Sequence, residues 1–472
     1  MGWRTGERNQ NGITGVSGHQ VEGTFRQRSA AAVVDTELRG RVVAAVDRFV
    51  HKRAEGLAGL EDADGLRRAA RAVKADVLQR LPDLLEQFAD RVLADGGHVC
   101  WASTAADATR YVIDVASRAG GKVVKSKSMA TEEIGLNDAL ADAGCEVVET
   151  DLGEWIIQLA GETPSHIIIP ALHRDRHTIR DVLIGEAGAD PAALAADPEA
   201  IAAYARGALR PRFLDADVGI TGANFAVADT GSIVLVTNEG NGRLATARPR
   251  VQVVVLGMER LVADWAQLDL MINLLARSAS GQPLSSYTSI TTGPRRPGEA
   301  DGPEELHVVI LDNGRSDLLA GDYHEMLGCI RCGACLNVCP VFRQTGGHAY
   351  GWVYSGPMGA VLSPLLTHGA DDLSGASTLC GACMDACPVQ IPLQDLLLAL
   401  RRDRAADAGI GEWAAWSAWA TAWSSPRGYR TSTAAGKWGA ALSPLARRWS
   451  AGRTPLKPVR RPFHTRWKAG EV

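Results

Sequence analysis

Between residues 329 and 387 the chain places seven cysteines in two runs. They are Cys329, Cys332, Cys335 and Cys339 followed by Pro340, then Cys380, Cys383 and Cys387 followed by Pro388. The first run reads C-x2-C-x2-C-x3-C-P, the spacing with which a short loop wraps a cubane iron–sulfur cluster. The second reads C-x2-C-x3-C-P, the same run with Ser377 in its first place. Two such runs predict two clusters and a protein that moves electrons. A closed zinc site takes four nitrogen or sulfur ligands, and seven sulfurs in this rhythm suit two such sites poorly. A disulfide framework needs an oxidising compartment, and the polar start MGWRTGERNQNG lacks the apolar stretch of a secretory signal. Cys100 in HVCWA and Cys145 in CEVVE lie in strand-like segments, where buried, unreactive thiols are expected.

In two-cluster ferredoxins the fourth cysteine of each run ligates the other cluster. On that pattern the first cluster, 4Fe–4S, takes Cys329, Cys332, Cys335 and Cys387. The second takes Cys339, Cys380 and Cys383, with Ser377 where a fourth sulfur would stand. Three outcomes stay open: a 3Fe–4S cluster, a 4Fe–4S cluster with an oxygen or nitrogen ligand, or one with an iron open to solvent. Oxygen and imidazole are weaker donors than thiolate to so soft a site. Ser377 is therefore a candidate ligand, set against the plainer reading of a loop residue that binds nothing.

With 472 residues, 46% hydrophobic and 22% charged, the chain can bury a large core in two or three domains. No run of eighteen apolar residues predicts a membrane-spanning helix. A net charge of −4 argues against general nucleic-acid binding. A cytoplasmic protein is expected. The charge is uneven, however: from Arg401 to Val472 there are fourteen Lys or Arg against four Asp or Glu. That stretch also holds Trp413, Trp416, Trp419, Trp423, Trp438, Trp449 and Trp467, the first four spaced for one helix face. Such a face can pack on the protein's own cluster domain, dock a partner subunit, or lie on the inner face of an anionic membrane as a peripheral contact.

Residues 1–20 are polar and read as a disordered leader. Residues 21–95 form an N-terminal helical region, VVAAVDRFVHKRAEGL and then DVLQRLPDLLEQFADRVLADGG, the second helix closing on Gly96-Gly97. From 96 to 318 short apolar segments alternate with helical ones. HVCWA precedes DATRYVIDVASRAGG, KVVKSKS precedes TEEIGLNDALADAG, CEVVET precedes LGEWIIQLAG, and HIIIPAL reads as a further strand. This repetition predicts a parallel sheet covered by helices. NFAVADTGSIVLVTNEG and RVQVVVLGMERL read as hairpins, YTSITTG and EELHVVILDNG as strands, and RRPGEADGPEE as an exposed loop. Residues 319–405 carry the cysteines without β alternation and read as a mainly helical cluster domain. Residues 406–472 form the basic, tryptophan-rich C-terminal region.

Ligands of open α/β sheets sit beyond the carboxyl ends of the strands. Lys125, Ser126, Lys127 and Ser128 follow one strand and lead into a helix with Glu132 and Glu133 in its first turn. They suit a carboxylate or phosphate, unless Ser128 merely caps the helix and the lysines are solvated. His173 follows HIIIPAL, where a single histidine is more often structural than catalytic. Thr221-Gly222-Ala223-Asn224 and Asp229-Thr230-Gly231 read as glycine-bounded turns. Glu239, in TNEGN at the end of an apolar strand, is a base, a nucleophile, a hydrogen-bond anchor or a plain turn residue. No dinucleotide fingerprint, P-loop or G-x-S-x-G occurs.

The segments KSKSMATEEIGLN, EVVETDLGEWIIQL, PSHIIIPALH, TGANFAVADTG and TNEGN resemble the LUD domain of bacterial lactate-utilisation proteins. The cysteine runs, with GGHAYGWVYSGPMGAVLSPLL between them, and the tryptophan-rich tail resemble the iron–sulfur, LutB-type subunits of that system. The likeness runs from about residue 21 onward. It implies an α/β LUD domain of the sugar-isomerase and CoA-transferase class followed by a ferredoxin-like dicluster domain. It further implies a subunit of an L-lactate oxidoreductase complex, passing electrons through two clusters as lactate becomes pyruvate. The implied partners are a cysteine-rich, heterodisulfide-reductase-like subunit and a shorter LUD-domain protein. Three cysteines in the second run agree with that subfamily. The loop from Gly346-Gly347-His348 to Gly356-Pro357 is expected as a docking or entry surface, and His348 as a candidate ligand or proton carrier unless the glycines there serve tight packing. Two other functions fit the same residues: an assembly or metabolite-sensing protein with structural clusters, and the same redox role for another 2-hydroxy acid.

Overall fold

The computed structural model describes residues 23–367, 369–406, 409–442, 461 and 463–471. The predicted leader and Trp449 lie outside them. Residues through Arg401 form one compact unit and Arg402–Val472 a second. Ten strands occur among the described residues: β1 (His98–Ala102), β2 (Lys122–Lys125), β3 (Glu146–Glu149), β4 (Val218–Gly222), β5 (Phe225–Val227), β6 (Ser232–Thr237), β7 (Val251–Gly257), β8 (Leu261–Val262), β9 (Tyr287–Thr291) and β10 (Glu305–Leu311).

Six of them make a parallel sheet in the order β1-β10-β7-β4-β2-β3. The central strands β4, β7 and β10 are buried along their length save Glu305. Strands covered on both faces need continuous apolar runs, and VQVVVLG and LHVVIL supply them. Val251, Val253 and Val255 of β7 share one core with the helix Ala105–Ala119 on one face. Val254 and Leu256, on the other face, join the largest core of the protein. That core runs from Val42 and Val46 in the helix Thr36–Ala58, through a second sheet ordered β8-β5-β6-β9, to Cys332, Cys335, Cys339, Cys383 and Cys387. The N-terminal helices, the sheet domain and the cysteine region thus share one interior.

Several expectations need correction. DVLQRLPDLLEQF is two helices, Ala63–Gln79 and Leu81–Ala94, because Pro82 belongs in a first turn. TEEIGLNDALADAG also divides, at Gly135, whose φ of 63° is left-handed. RVQVVVLG is the central parallel strand β7 and no hairpin arm, whereas NFAVADTGSIVLV does form the antiparallel hairpin β5–β6. HIIIP is a loop. Ser165 N–H donates to Pro170 O, and the His166 ring Nδ1 accepts from Ile168 and Ile169 N–H, so side chain and turn satisfy the backbone that a sheet would have paired. The helices Arg176–Ala187 and Pro198–Asp215, for which the sequence reading had no element, start on Asp175 and Asp197 caps.

Among the described residues of 320–405 there is no strand; short helices carry the cysteines. In the second unit the helices Ile410–Trp423 and Pro426–Leu442 pair, with Trp423 edge-on to Tyr429. Trp413, Trp416, Trp419 and Trp423 lie along the first helix, all exposed.

Candidate iron–sulfur centres and the adjoining cleft

The two cysteine runs fold alike. Arg331 and Leu379 take left-handed backbones (φ 58° and 54°), and so do Gly333 and Gly381 two residues later (φ 78° and 84°). Glycine adopts this conformation freely and other residues rarely do. Each glycine opens a five-residue helix, Ala334–Val338 or Ala382–Ala386, and each helix ends on an extended cysteine, Cys339 or Cys387.

Cys329, Cys332, Cys335 and Cys387 line one small apolar cavity. Burial, then the neighbouring Cys387 thiol, pushes Cys332 up to about 12. Burial raises Cys335 further, with Cys329, Cys332 and Cys387 adding to it. The other three thiols also neighbour one another. Burial and then Cys339 lift Cys383 to about 12, while Cys380 stands exposed. Backbone N–H groups point at the sulfurs: Arg331 N donates to Cys329 Sγ at 3.4 Å and Ile391 N to Cys387 Sγ at 3.3 Å. Soft, buried, convergent donors with N–H support are what a cubane requires, and such thiols lose their protons when they bind metal.

Charge around the first cavity points the same way. Lys74, Arg260, Arg315 and Arg331 are buried or nearly so, and among the described residues the carboxylates of Glu133 and Glu259 pair with them. Arg315 grips Glu133 with two N–H bonds of 2.9 and 2.7 Å and reaches Glu259 at 2.8 Å. Arg331 Nη2 shares Glu259 at 3.4 Å and its guanidinium lies over the Tyr354 ring. Tyr354 donates to Glu133 at 2.7 Å. Burial would raise Glu259, but Arg315, Arg260 and Arg331 outweigh it and hold the carboxyl down to about 2. Burial and then Arg260 pull Lys74 to about 8. A buried excess of cations is unfavourable unless an anion compensates it, and a thiolate-ligated cluster is anionic. The residues present fit the group.

A cleft of about 850 Å³ opens beyond the carboxyl ends of β2, β4 and β7, and Ile167 and Arg331 line both it and the first cysteine cavity. Lys127, Asp151, Glu239, Asn241 and Arg260 also face the cleft. Glu239 is exposed, yet partial desolvation of its carboxyl, then Asp151, raises it to about 6; Leu152 N–H donates to it weakly, at 3.4 Å.

Ser126, Ser128, Gly222, Ala223 and Asn224 line the cleft as well. The lysines are not solvated: Lys125 is fully buried between Glu149 (2.6 Å) and Glu132 (2.9 Å), and Lys127 pairs with Glu154 at 2.6 Å. Ser128 opens its helix without a side-chain capping bond. Asn224 accepts from Val236 N–H at 2.7 Å, as a turn residue does. His173 pairs with Glu162 at 2.7 Å and meets His348 edge-on; His348 Nε2 lies 2.7 Å from Thr163 O. Neither imidazole lines the cleft or the first cavity. The loop from Gly346 to Pro357 is largely buried rather than a docking surface. A Cβ on Gly347 would lie 1.8 Å from Ser165 O, so tight packing explains the glycine. Cys145 is buried and Cys100 half-buried, away from both runs.

The sequence reading missed His166, which joins the HIIIP loop to Asn337 of the cysteine helix at 3.2 Å; burial holds its pKa down to about 3. It also missed the Glu133–Arg315–Glu259–Arg331 network, for which the only local signal was an arginine inside C-I-R-C.

Comparison with known proteins gives matches along most of the chain. Family models match as the LUD domain over residues 85–311, the 4Fe-4S dicluster domain over 325–391, and the lactate utilisation protein B C-terminal region over 399–472. "Lactate utilization protein B" of Bacillus licheniformis is 48% identical, covering 92% of each chain. The Bacillus subtilis protein of that name is 46% identical over 92% of this chain and 91% of its own. An Escherichia coli relative, "Uncharacterized electron transport protein YkgF", is 48% identical over 80% of each. A solved DUF162 family structure from Deinococcus radiodurans covers 49% of this chain and 98% of its own, at 14% identity and a TM-score of 0.28. The LUD domain, the dicluster domain and the tail occur here in one chain, and the chain belongs to the lactate utilization protein B family.

Proposed function

We propose that this chain is the iron–sulfur electron-transfer subunit of a cytoplasmic assembly oxidising L-lactate to pyruvate. A first 4Fe–4S cluster sits on Cys329, Cys332, Cys335 and Cys387, and a second on Cys339, Cys380 and Cys383. Its partners are the cysteine-rich, heterodisulfide-reductase-like subunit and the shorter LUD-domain protein of the same system. The carrying observation is the convergence of four thiols from both runs on one cavity whose wall, at Ile167 and Arg331, is also a wall of the cleft.

Such clusters, when bound, take up and release single electrons. The protein's own residues do the rest. Arg260 and Arg331 present guanidinium groups to the cleft, where a small carboxylate can be held. Glu239, raised to about 6, is poised to hold or give up a proton near neutral pH. Exposed Cys380 puts the second run at the surface, where an electron can leave for a partner. The four exposed tryptophans of the helix Ile410–Trp423 offer an apolar face for such a partner. No described helix is long and apolar enough to cross a membrane.

The test is anaerobic purification with both partners, addition of L-lactate, and EPR of the clusters. Reduction of the clusters by lactate supports the proposal. A spectrum unchanged by lactate in the reconstituted complex favours structural clusters instead.

A further inference from the structure

We propose that Ser377 Oγ is the fourth ligand of the second cluster, completing a 4Fe–4S site of three thiolates and one serine alkoxide. The proposal rests on the two-cluster reading above and goes beyond it by filling the corner that cysteine leaves empty.

Ser377 stands where Cys329 stands, by four separate measures. It lies three residues before Cys380, as Cys329 lies three before Cys332. The intervening Leu379 and Arg331 share the left-handed backbone (φ 54° and 58°), and the glycines after the next cysteine share it too. The N–H of Leu379 donates to Ser377 Oγ at 3.0 Å, as that of Arg331 donates to Cys329 Sγ at 3.4 Å. An arginine holds each first residue by its carbonyl: Arg260 Nη1 to Cys329 O at 3.3 Å, Arg401 Nη2 to Ser377 O at 2.6 Å. Arg401 Nε also takes Ser374 O at 2.7 Å, fixing the approach to Ser377.

A serine accepting from the N–H two residues on is an ordinary turn by itself. Here the same turn recurs at Cys329, which lines the first cavity. Leucine gains nothing from a left-handed backbone unless the wrap must be kept. His348, the other candidate, keeps its Nε2 at Thr163 O. On binding, the Ser377 hydroxyl loses its proton to water as the Oγ–Fe bond forms, and no electron moves. A hard oxygen donor binds soft iron less firmly than sulfur does, so this corner is the labile one. It lies beside exposed Cys380.

The experiment uses the full chain purified anaerobically, as wild type, Ser377→Ala and Ser377→Cys, and measures iron, acid-labile sulfide, EPR and midpoint potentials. Wild type should hold about eight irons per chain. Ser377→Ala should lose about one of them and give the oxidised-state signal of a three-iron cluster. Ser377→Cys should keep the full complement and raise one midpoint while leaving the other in place. The proposal is overturned if Ser377→Ala retains wild-type iron and potentials, or if Ser377→Cys moves neither potential. A wild-type chain already holding a three-iron cluster also overturns it. Negligible iron in every variant would instead remove the two-cluster reading, and this proposal with it.

Discussion

Arg315→Met tests whether the interior joining the sheet to the cysteine loops is held by charge. Arg315 is 1% exposed, and its guanidinium is the main partner of Glu133 (0% exposed) and Glu259 (1% exposed). Removing one side of a buried pair costs about 3–5 kcal/mol, since it strands the remaining charge; here Glu133 is stranded, while Glu259 keeps Arg260 and Arg331. With an unfolding entropy of about 2.1 cal/mol/K per residue over roughly 400 residues, that cost lowers the thermal midpoint by about 4–6 °C. The pH dependence supplies a sharper sign. In the wild type burial is outweighed by arginine and both carboxyls titrate below their ordinary value, Glu259 at about 2. Their contribution is therefore fully present above the unfolded carboxyl range and lost as pH falls towards 2. In Arg315→Met burial dominates at Glu133, the folded carboxyl binds its proton more tightly than the unfolded one, and stability falls as pH rises from about 5 to 8. The assay is anaerobic thermal unfolding of both proteins across that range. A midpoint loss below about 2 °C, or a variant with no such decline, would refute the reasoning.

Gly347→Ala places a methyl 1.8 Å from Ser165 O, so one loop must give way; a loss of about 1–3 kcal/mol is expected in thermal unfolding, and a wild-type midpoint would contradict the packing. Cys332→Ala removes a thiolate from the first cavity; the first cluster should lose iron with it, as iron and sulfide assays would show, and an unchanged iron content would count against the ligand set. For Glu239, raised to about 6, calorimetric affinity of the cleft for L-lactate should rise as pH falls from 7 to 5, because protonation removes a negative charge from the cleft. Glu239→Gln should abolish that dependence, and persistence of the slope would exclude Glu239 as its source.

What could be read from sequence was what depends on neighbours in the chain. The cysteine spacing is local, so both runs and their helices were legible, as was Ser377 in the first place of the second run. The parallel sheet followed from apolar runs alternating with helical ones, and β1, β2, β3 and β10 lie where those runs do. HIIIP misled because a short apolar run is buried whether it is a strand or a loop, and His166 supplied turn bonds that no propensity foretells. The Glu133–Arg315–Glu259–Arg331 network was illegible for a different reason. Its members come from distant segments and meet only after the sheet and the cysteine loops share a core. Lys125 shows the same limit: it read as an anion-binding or a solvated cation, and only the fold brings Glu149 beside it.

The claim beneath the rest is that these seven sulfurs carry two iron–sulfur clusters close enough to interact. EPR of the dithionite-reduced full chain, with iron and sulfide assayed on the same sample, addresses it most directly. The account predicts two reduced centres whose signals broaden each other through spin coupling. Zinc in place of iron, or a single isolated centre, would contradict it.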